Sequence, residues 1–338
     1  MAPPAMHQVQ VLQAQRVRGR TSMVLGDITN LGAPSAVAAQ YLQTAAGFKP
    51  ELAEDVCCRG MQHVDAMLVD STANKDDETY RHSEDPQWVQ DYAFDIHRLL
   101  QQEKFLRPRP EYMGAQLEVN AKMRGILVDW IIEVHLKYAM RLETLYLTVQ
   151  LIDRYLERRQ VQRKCLQLVG VTAMLVASKY EEVYPPEISQ FVYISDKACS
   201  GEDIVKMEID MLQKLGFRVC QPTAADFFEQ YQTANGCGPA HRELVAYLLE
   251  LTLLDLHMIR HTPFVLVAAA IYLSNKLLRH EPAWPDALQR RTGLGELAIT
   301  LPAREICALY EGAETNPLQA VRKKYSQEKH HSVAKLRF

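Results

Sequence analysis

Leu168-Val-Gly-Val-Thr-Ala-Met-Leu-Val-Ala-Ser-Lys-Tyr180 and Phe264-Val-Leu-Val-Ala-Ala-Ala-Ile-Tyr-Leu-Ser-Asn-Lys276 lie 96 positions apart and read as the same helix written twice. Val169 and Val265, Val171 and Val267, Ala173 and Ala269, and Ser178 and Ser274 coincide. Both segments are apolar nearly all round, the mark of a helix surrounded by other helices. Small residues on them (Gly170, Ala173 and Ala177; Ala268, Ala269 and Ala270) let those neighbours approach closely. Asp129-Trp130-Ile131 echoes Asp226-Phe227-Phe228 at nearly the same offset. Such a period implies two five-helix units of about 100 residues, each built round its own central helix. One large irregular helical domain is the alternative.

Working outward, helical spacing predicts helices at 119–139, 143–159, 163–182, 187–193 and 201–216 in the first unit. The second unit follows Pro222, with helices at 223–234, 241–257, 263–279, 285–292 and 296–311, and a short helix at 316–326 comes after it. Pro185-Pro186 breaks the chain between two of these, and Gly216 closes another. Strand alternation is nowhere sustained, so the class is all-α. Upstream, Asp85-Pro86 is a helix start, Tyr92, Ile96, Leu99 and Leu100 recur at helical spacing, and Pro108 and Pro110 end that helix. Residues 1–84, rich in Ala, Gln, Ser, Thr and Asp, read as a poorly ordered tail. The expected organisation is therefore a tail at 1–84, a helix and linker at 85–117, and helical units at 118–220 and 221–313. A helix and basic tail at 314–338 complete it.

The chain of 338 residues carries 38 Lys and Arg against 41 Asp and Glu. That balance argues against a general nucleic-acid binder, which needs a basic surface. No apolar run reaches the roughly 18–20 residues of a membrane span, and Met1 to Gln15 hold no apolar run, so a secretory signal is not expected. The seven cysteines are scattered without zinc spacing, which reads as reduced thiols. His257 and His261 stand four apart, but Met258 takes the place of the Glu that a zinc-protease helix needs. No metal, cofactor or catalytic constellation is expected: phosphate loop, nucleophile elbow and kinase signatures are all missing.

Met123-Arg-Gly-Ile-Leu-Val-Asp-Trp-Ile-Ile-Glu-Val134 has more apolar surface than one core-facing stripe uses. At about 100° per residue, Ile126, Leu127, Trp130 and Val134 fall within roughly 60° of Met123, and Val128, Ile131 and Ile132 cover the adjoining side. Either half of this helix faces the core while the other forms a groove beside Glu133, or the helix is buried on most sides. Arg124 falls on the apolar side, where an unpaired guanidinium is costly. Asp153 is its natural partner.

Met123-Arg124-Gly125-Ile126-Leu127-Val128-Asp129-Trp130 resembles the signature of the cyclin box. So do Leu166-Gln167-Leu168-Val169-Gly170, Ala177-Ser178-Lys179-Tyr180-Glu181-Glu182 and Tyr184-Pro185-Pro186-Glu187. The resemblance runs from about residue 85 to 330. Glu143-Thr-Leu-Tyr-Leu-Thr148 and Lys179-Tyr-Glu-Glu182 look most like B-type, G2/mitotic cyclins. Gly125 stands where the family has Ala, a loss of about 1 kcal/mol in helix propensity, so local looseness is expected there.

The resemblance implies two tandem cyclin boxes and a non-catalytic activator of G2/M progression. Cyclins bind a cyclin-dependent protein kinase and hold its regulatory helix in the active position. That helix carries the Glu whose ion pair with a strand Lys orients the ATP phosphates, so the cyclin shifts a two-state kinase by binding one state better. By the family pattern the kinase-facing residues are Lys179, Tyr180, Glu208, Leu212 and Phe217. Met123, Ile126, Leu127, Trp130, Glu133, Arg163, Leu166 and Gln167 match the patch that captures Arg-x-Leu peptides of substrates or inhibitors. Arg124 and Asp153 match a structural ion pair. Leu25, Ile28 and Asn30 keep the spacing of a destruction box read by the ubiquitin ligase of mitotic exit, with Ser22 in the arginine place and Arg20 nearby. Nucleus and cytoplasm are the implied locations, and no nucleic-acid or membrane partner is implied. The alternative is a cyclin-fold transcription adaptor that binds nucleic acid or the transcription machinery.

Overall fold

A computed structural model describes residues 90–102 and 107–336. Among them, twelve α-helices and five 3-10 turns account for the regular structure, and no strand occurs. In chain order the helices are α1 (Gln90–Gln102), α2 (Ala121–Tyr138), α3 (Leu142–Arg158), α4 (Leu166–Glu181), α5 (Ile188–Ile194) and α6 (Gly201–Lys214). Then come α7 (Ala224–Asn235), α8 (Pro239–Leu254), α9 (Pro263–Leu277), α10 (Asp286–Thr292), α11 (Glu296–Gly312) and α12 (Ala320–Tyr325).

Local chemistry sets the helix starts. Asn120 accepts the Met123 N–H ahead of α2, and Ser200 with Asp203 and Thr223 with Asp226 form capping boxes for α6 and α7. Pro239 and Pro263 stand at the first positions of α8 and α9, where a missing N–H costs nothing. Gly236 ends α7 at φ 67°, a left-handed turn that favours glycine.

Two bundles result, α2–α6 and α7–α11. In the first, α4 is the central helix, packed against α2, α3 and α6; in the second, α9 packs against α7, α8 and α11. The small residues on both work as the repeat predicts. A Cβ on Gly170 would lie 2.7 Å from Leu127 Cδ1, so the α2–α4 approach depends on that glycine. The bundles share contacts: α2 lies against α8 and α12, and α3 against α7. Gln150 Nε2 donates to the Pro222 carbonyl at 3.0 Å. A buried ion pair joins Lys324 of α12 to Glu250 of α8, and the Tyr325 hydroxyl also donates to Glu250.

Some features differ from the sequence expectations. The helix predicted at 163–182 opens with a separate 3-10 turn at Arg163–Cys165, and the short C-terminal helix is trimmed to α12. Turns at Pro110–Ala115 and Leu256–Arg260 were not predicted. Gly125 is buried within an unbroken α2, packed near Leu318 and the Leu254 carbonyl, so the expected looseness is absent. In α1, Tyr92, Ile96 and Leu99 are exposed. The inner face carries Ala93, His97 and Gln101 instead: His97 Nε2 lies 3.0 Å from the Tyr231 hydroxyl, and Gln101 Nε2 donates to the Thr292 carbonyl at 3.0 Å. Burial, with Arg291 nearby, lowers the His97 pKa to about 3, so this contact is made by a neutral ring.

Candidate functional site

The end of α4 and the outer side of α6 form one surface. Lys179 Nζ, on the last turn of α4, donates to both carboxylate oxygens of Glu208 on α6, at 2.7 and 2.9 Å. Val205, Glu208, Ile209 and Leu212 share one face of α6 at helical spacing, while Ile204 and Met211 turn into the core with Leu215 just beyond the helix. Leu212 is half-buried. Tyr180, Val183, Tyr184, Val205, Ile209 and Phe217 are exposed, Tyr184 to 91% and Phe217 to 70%. The neighbouring Cys220 thiol and some burial raise the Tyr180 pKa to about 12. Six exposed large apolar side chains on the end of α4, the loop after it, the outer face of α6 and the turn beyond it are more than solvated helix ends keep without reason.

Four of those residues, Val183, Tyr184, Val205 and Ile209, are absent from the set the resemblance implied. The signal was in the sequence: Val205 and Ile209 are apolar at i and i+4 on the side of α6 away from Ile204 and Met211.

The second surface lies along the α2–α4 seam. Glu133 and Arg163 are exposed, and Ile126, Trp130 and Gln167 are half-buried. Met123 and Leu166 are buried, at 7% and 2% exposure, and lie beneath the surface rather than on it, which corrects their place in the docking patch. Leu127 is 0% exposed because it fills the notch above Gly170; it is core and lines no surface, which corrects its place in the docking patch. Of the two readings of this helix, burial on most sides prevails, with a narrow rim left open.

Arg124, 1% exposed, and Asp153 form a two-pronged ion pair: Nε to Oδ1 at 2.6 Å and Nη2 to Oδ2 at 2.7 Å. Burial alone would lower the Arg124 pKa; the Asp153 carboxylate more than offsets it and holds the guanidinium charged. Tyr112 donates to Asp153 Oδ1 at 2.8 Å. Arg124 Nη1 donates to the Leu253 carbonyl at 2.7 Å, a tie between the bundles that the sequence did not announce.

His257 and His261 serve different carboxylates, Asp255 at 3.1 Å and Glu305 at 2.6 Å. No group of three His, Cys, Asp or Glu side chains suited to a metal occurs among the described residues. Nor is any described helix long and apolar enough to cross a membrane. The destruction-box residues Arg20, Leu25, Ile28 and Asn30, and Ser22 with them, lie outside the described residues.

Comparison with known families matches residues 95–220 to the cyclin N-terminal domain and residues 222–338 to the cyclin C-terminal domain. The chain belongs to the cyclin family. Among its relatives, this cyclin is 38% identical over 252 residues to a G2/mitotic-specific cyclin-B of Marthasterias glacialis, covering 74% of this chain and 65% of the relative. It is 40% identical over 245 residues to one of Hydra vulgaris, covering 72% and 67%. The cyclin-B2 of Gallus gallus is 39% identical over 250 residues, with 73% and 62% covered. The chain thus spans about three-fifths of the length of the curated relatives it matches. A viral cyclin from herpesvirus saimiri shares the fold, with a TM-score of 0.57 at 21% identity, covering 63% of this chain and 96% of that one.

Proposed function

We propose that this cyclin is the non-catalytic regulatory subunit of a cyclin-dependent protein kinase acting at G2/M, and that the α2–α4 rim docks peptide segments of substrates or inhibitors. The observation that carries the first part is the Lys179–Glu208 pair set among exposed Tyr180, Val183, Tyr184, Val205, Ile209 and Phe217. An apolar surface with a central pair of charges is what a partner desolvates on binding: aromatic anchors supply most of the energy and the charges fix register. Docking is supported by the half-buried Ile126 and Trp130 on one helix, with the exposed Glu133 as the only acid among the rim residues named above.

The test is a double substitution, Lys179→Ala with Glu208→Ala. Removing both charges leaves neither unpaired, so the free chain should melt within about 1 kcal/mol of the parent. Kinase co-precipitation and histone phosphorylation should both fall by at least about tenfold, as loss of a desolvated charge contact costs about 2–5 kcal/mol. Full activation by a normally folded double variant would sink the assignment.

A further inference from the structure

The segment Pro317–Tyr325 runs along one edge of α2 and touches it at three levels. Leu318 Cδ1 lies 3.2 Å from where a Cβ on Gly125 would sit. The Ala320 N–H donates to Asp129 Oδ1 at 2.9 Å. Lys323 Nζ lies 3.7 Å from Glu133 Oε1. Gly125, Asp129 and Glu133 are successive i, i+4 positions, so the segment tracks the helix edge that borders Ile126 and Trp130.

The acids on this edge are therefore already engaged. Asp129 is turned to a backbone N–H, and Glu133 faces a cation supplied by the same chain. Of the other charged side chains round the rim, Glu118 is committed to the Arg163 backbone N–H at 3.1 Å, and Arg163 beside Gln167, with Lys122 and Lys137 toward the two ends of α2, are basic and exposed. The other two basic residues of α12 are committed elsewhere, Arg322 to Glu314 at 3.2 Å and Lys324 to the buried Glu250. Lys323 is the one that reaches the rim.

We propose that Lys323 is a specificity-determining residue of the docking rim: by neutralising Glu133 it makes the site select a peptide's apolar residue and leaves it nearly indifferent to an arginine two positions before. This rests on the docking reading above. An arginine entering the rim must displace Lys323 from Glu133 and meet its like charge at close range. One cation is exchanged for another, and little net attraction results. Burial of a leucine against the half-buried Ile126 and Trp130 is untouched by that exchange. The partner that fits is a short segment led by a large aliphatic residue, with an uncharged or acidic residue at the position where an arginine would otherwise be favoured.

The experiment measures fluorescence anisotropy of three labelled peptides, Arg-x-Leu, Ala-x-Leu and Arg-x-Ala, on the full chain and its Lys323→Ala and Lys323→Glu variants. The parent should bind Arg-x-Leu and Ala-x-Leu within about twofold of each other and Arg-x-Ala at least about tenfold more weakly. Lys323→Ala should favour Arg-x-Leu over Ala-x-Leu by about two- to fivefold, Lys323→Glu by more, and both preferences should shrink as salt rises from about 50 to about 500 mM. Lys323 is exposed, so Lys323→Ala should melt close to the parent, and Lys323→Glu, which adds a like charge beside Glu133, somewhat lower. A parent that prefers the arginine peptide tenfold, with no change in Lys323→Ala, overturns the role of Lys323 and leaves docking intact. Loss of all binding in Lys323→Ala also overturns it, because Lys323 would then be a peptide contact. No binding of any peptide to any chain overturns the docking reading itself.

Discussion

Phe217 is held at φ 59°, in the left-handed region, immediately after Gly216 at φ 60°. For a bulky residue that conformation costs about 1–2 kcal/mol, and the ring gains nothing from burial, being 70% exposed. Strain of this kind persists where function needs the side chain in that place. Its N–H donates to the Leu212 carbonyl at 2.8 Å, which fixes the backbone from which the ring projects just beyond α6. Phe217→Gly should therefore raise the thermal midpoint of the free chain while weakening kinase binding by about tenfold or more. Differential scanning fluorimetry and a kinase pull-down on the same preparation test both halves; a variant that is less stable, or one that binds as well as the parent, contradicts the argument.

Among the elements, α2 shows best what charge does to packing. Burial raises the Asp129 pKa to about 6 from 3.8, against the opposing pull of the Ala320 N–H. Between these values the folded chain holds the proton that the unfolded chain has released. Stability from this residue therefore falls as pH rises from about 4 to 6 and is level above. Two units are worth at most about 3 kcal/mol, and less for a carboxylate that water still reaches. Asn in its place can still accept the Ala320 N–H without a buried charge. Urea unfolding should find Asp129→Asn about 1–2 kcal/mol more stable than the parent near pH 7 and indistinguishable near pH 4; equal curves at both would refute the shift. The same helix marks the limit of what was legible beforehand. Its existence, its cap region and the Arg124–Asp153 pairing follow from spacing and from the cost of a lone buried charge. That Leu127 is core while Ile126 is rim does not, because the Gly170 notch that swallows Leu127 is more than forty residues away. In α1 periodicity marked a helix, but the buried side is the one where His97 and Gln101 find hydrogen-bond partners on the second bundle. Apolar spacing tells that a helix has faces; only its neighbours decide which one is covered.

At the scale of the whole molecule, polar ties join the two bundles, Arg124 to Leu253 and Gln150 to Pro222, and Lys324 with Tyr325 fasten α12, which also lies against α2, to Glu250 of the second bundle. Glu250 is fully buried, so deleting its cation leaves a carboxylate with no compensating charge beside it. Lys324→Met should cost about 3–5 kcal/mol. Because α12 lies against both α2 and α8, calorimetry should show one transition at a lower temperature; two separate transitions in the parent would mean that the bundles unfold independently. The tie from Asp129 to Ala320 spans 191 positions. At about 5–20 residues per second of synthesis, the flank of α2 that Leu318 and Ala320 cover stays open for about 10–40 s after α2 itself has been made. The newborn first bundle thus waits on the ribosome with an uncovered side, and a chaperone that shields a cyclin of this build has that interval, and that helix edge, to act on.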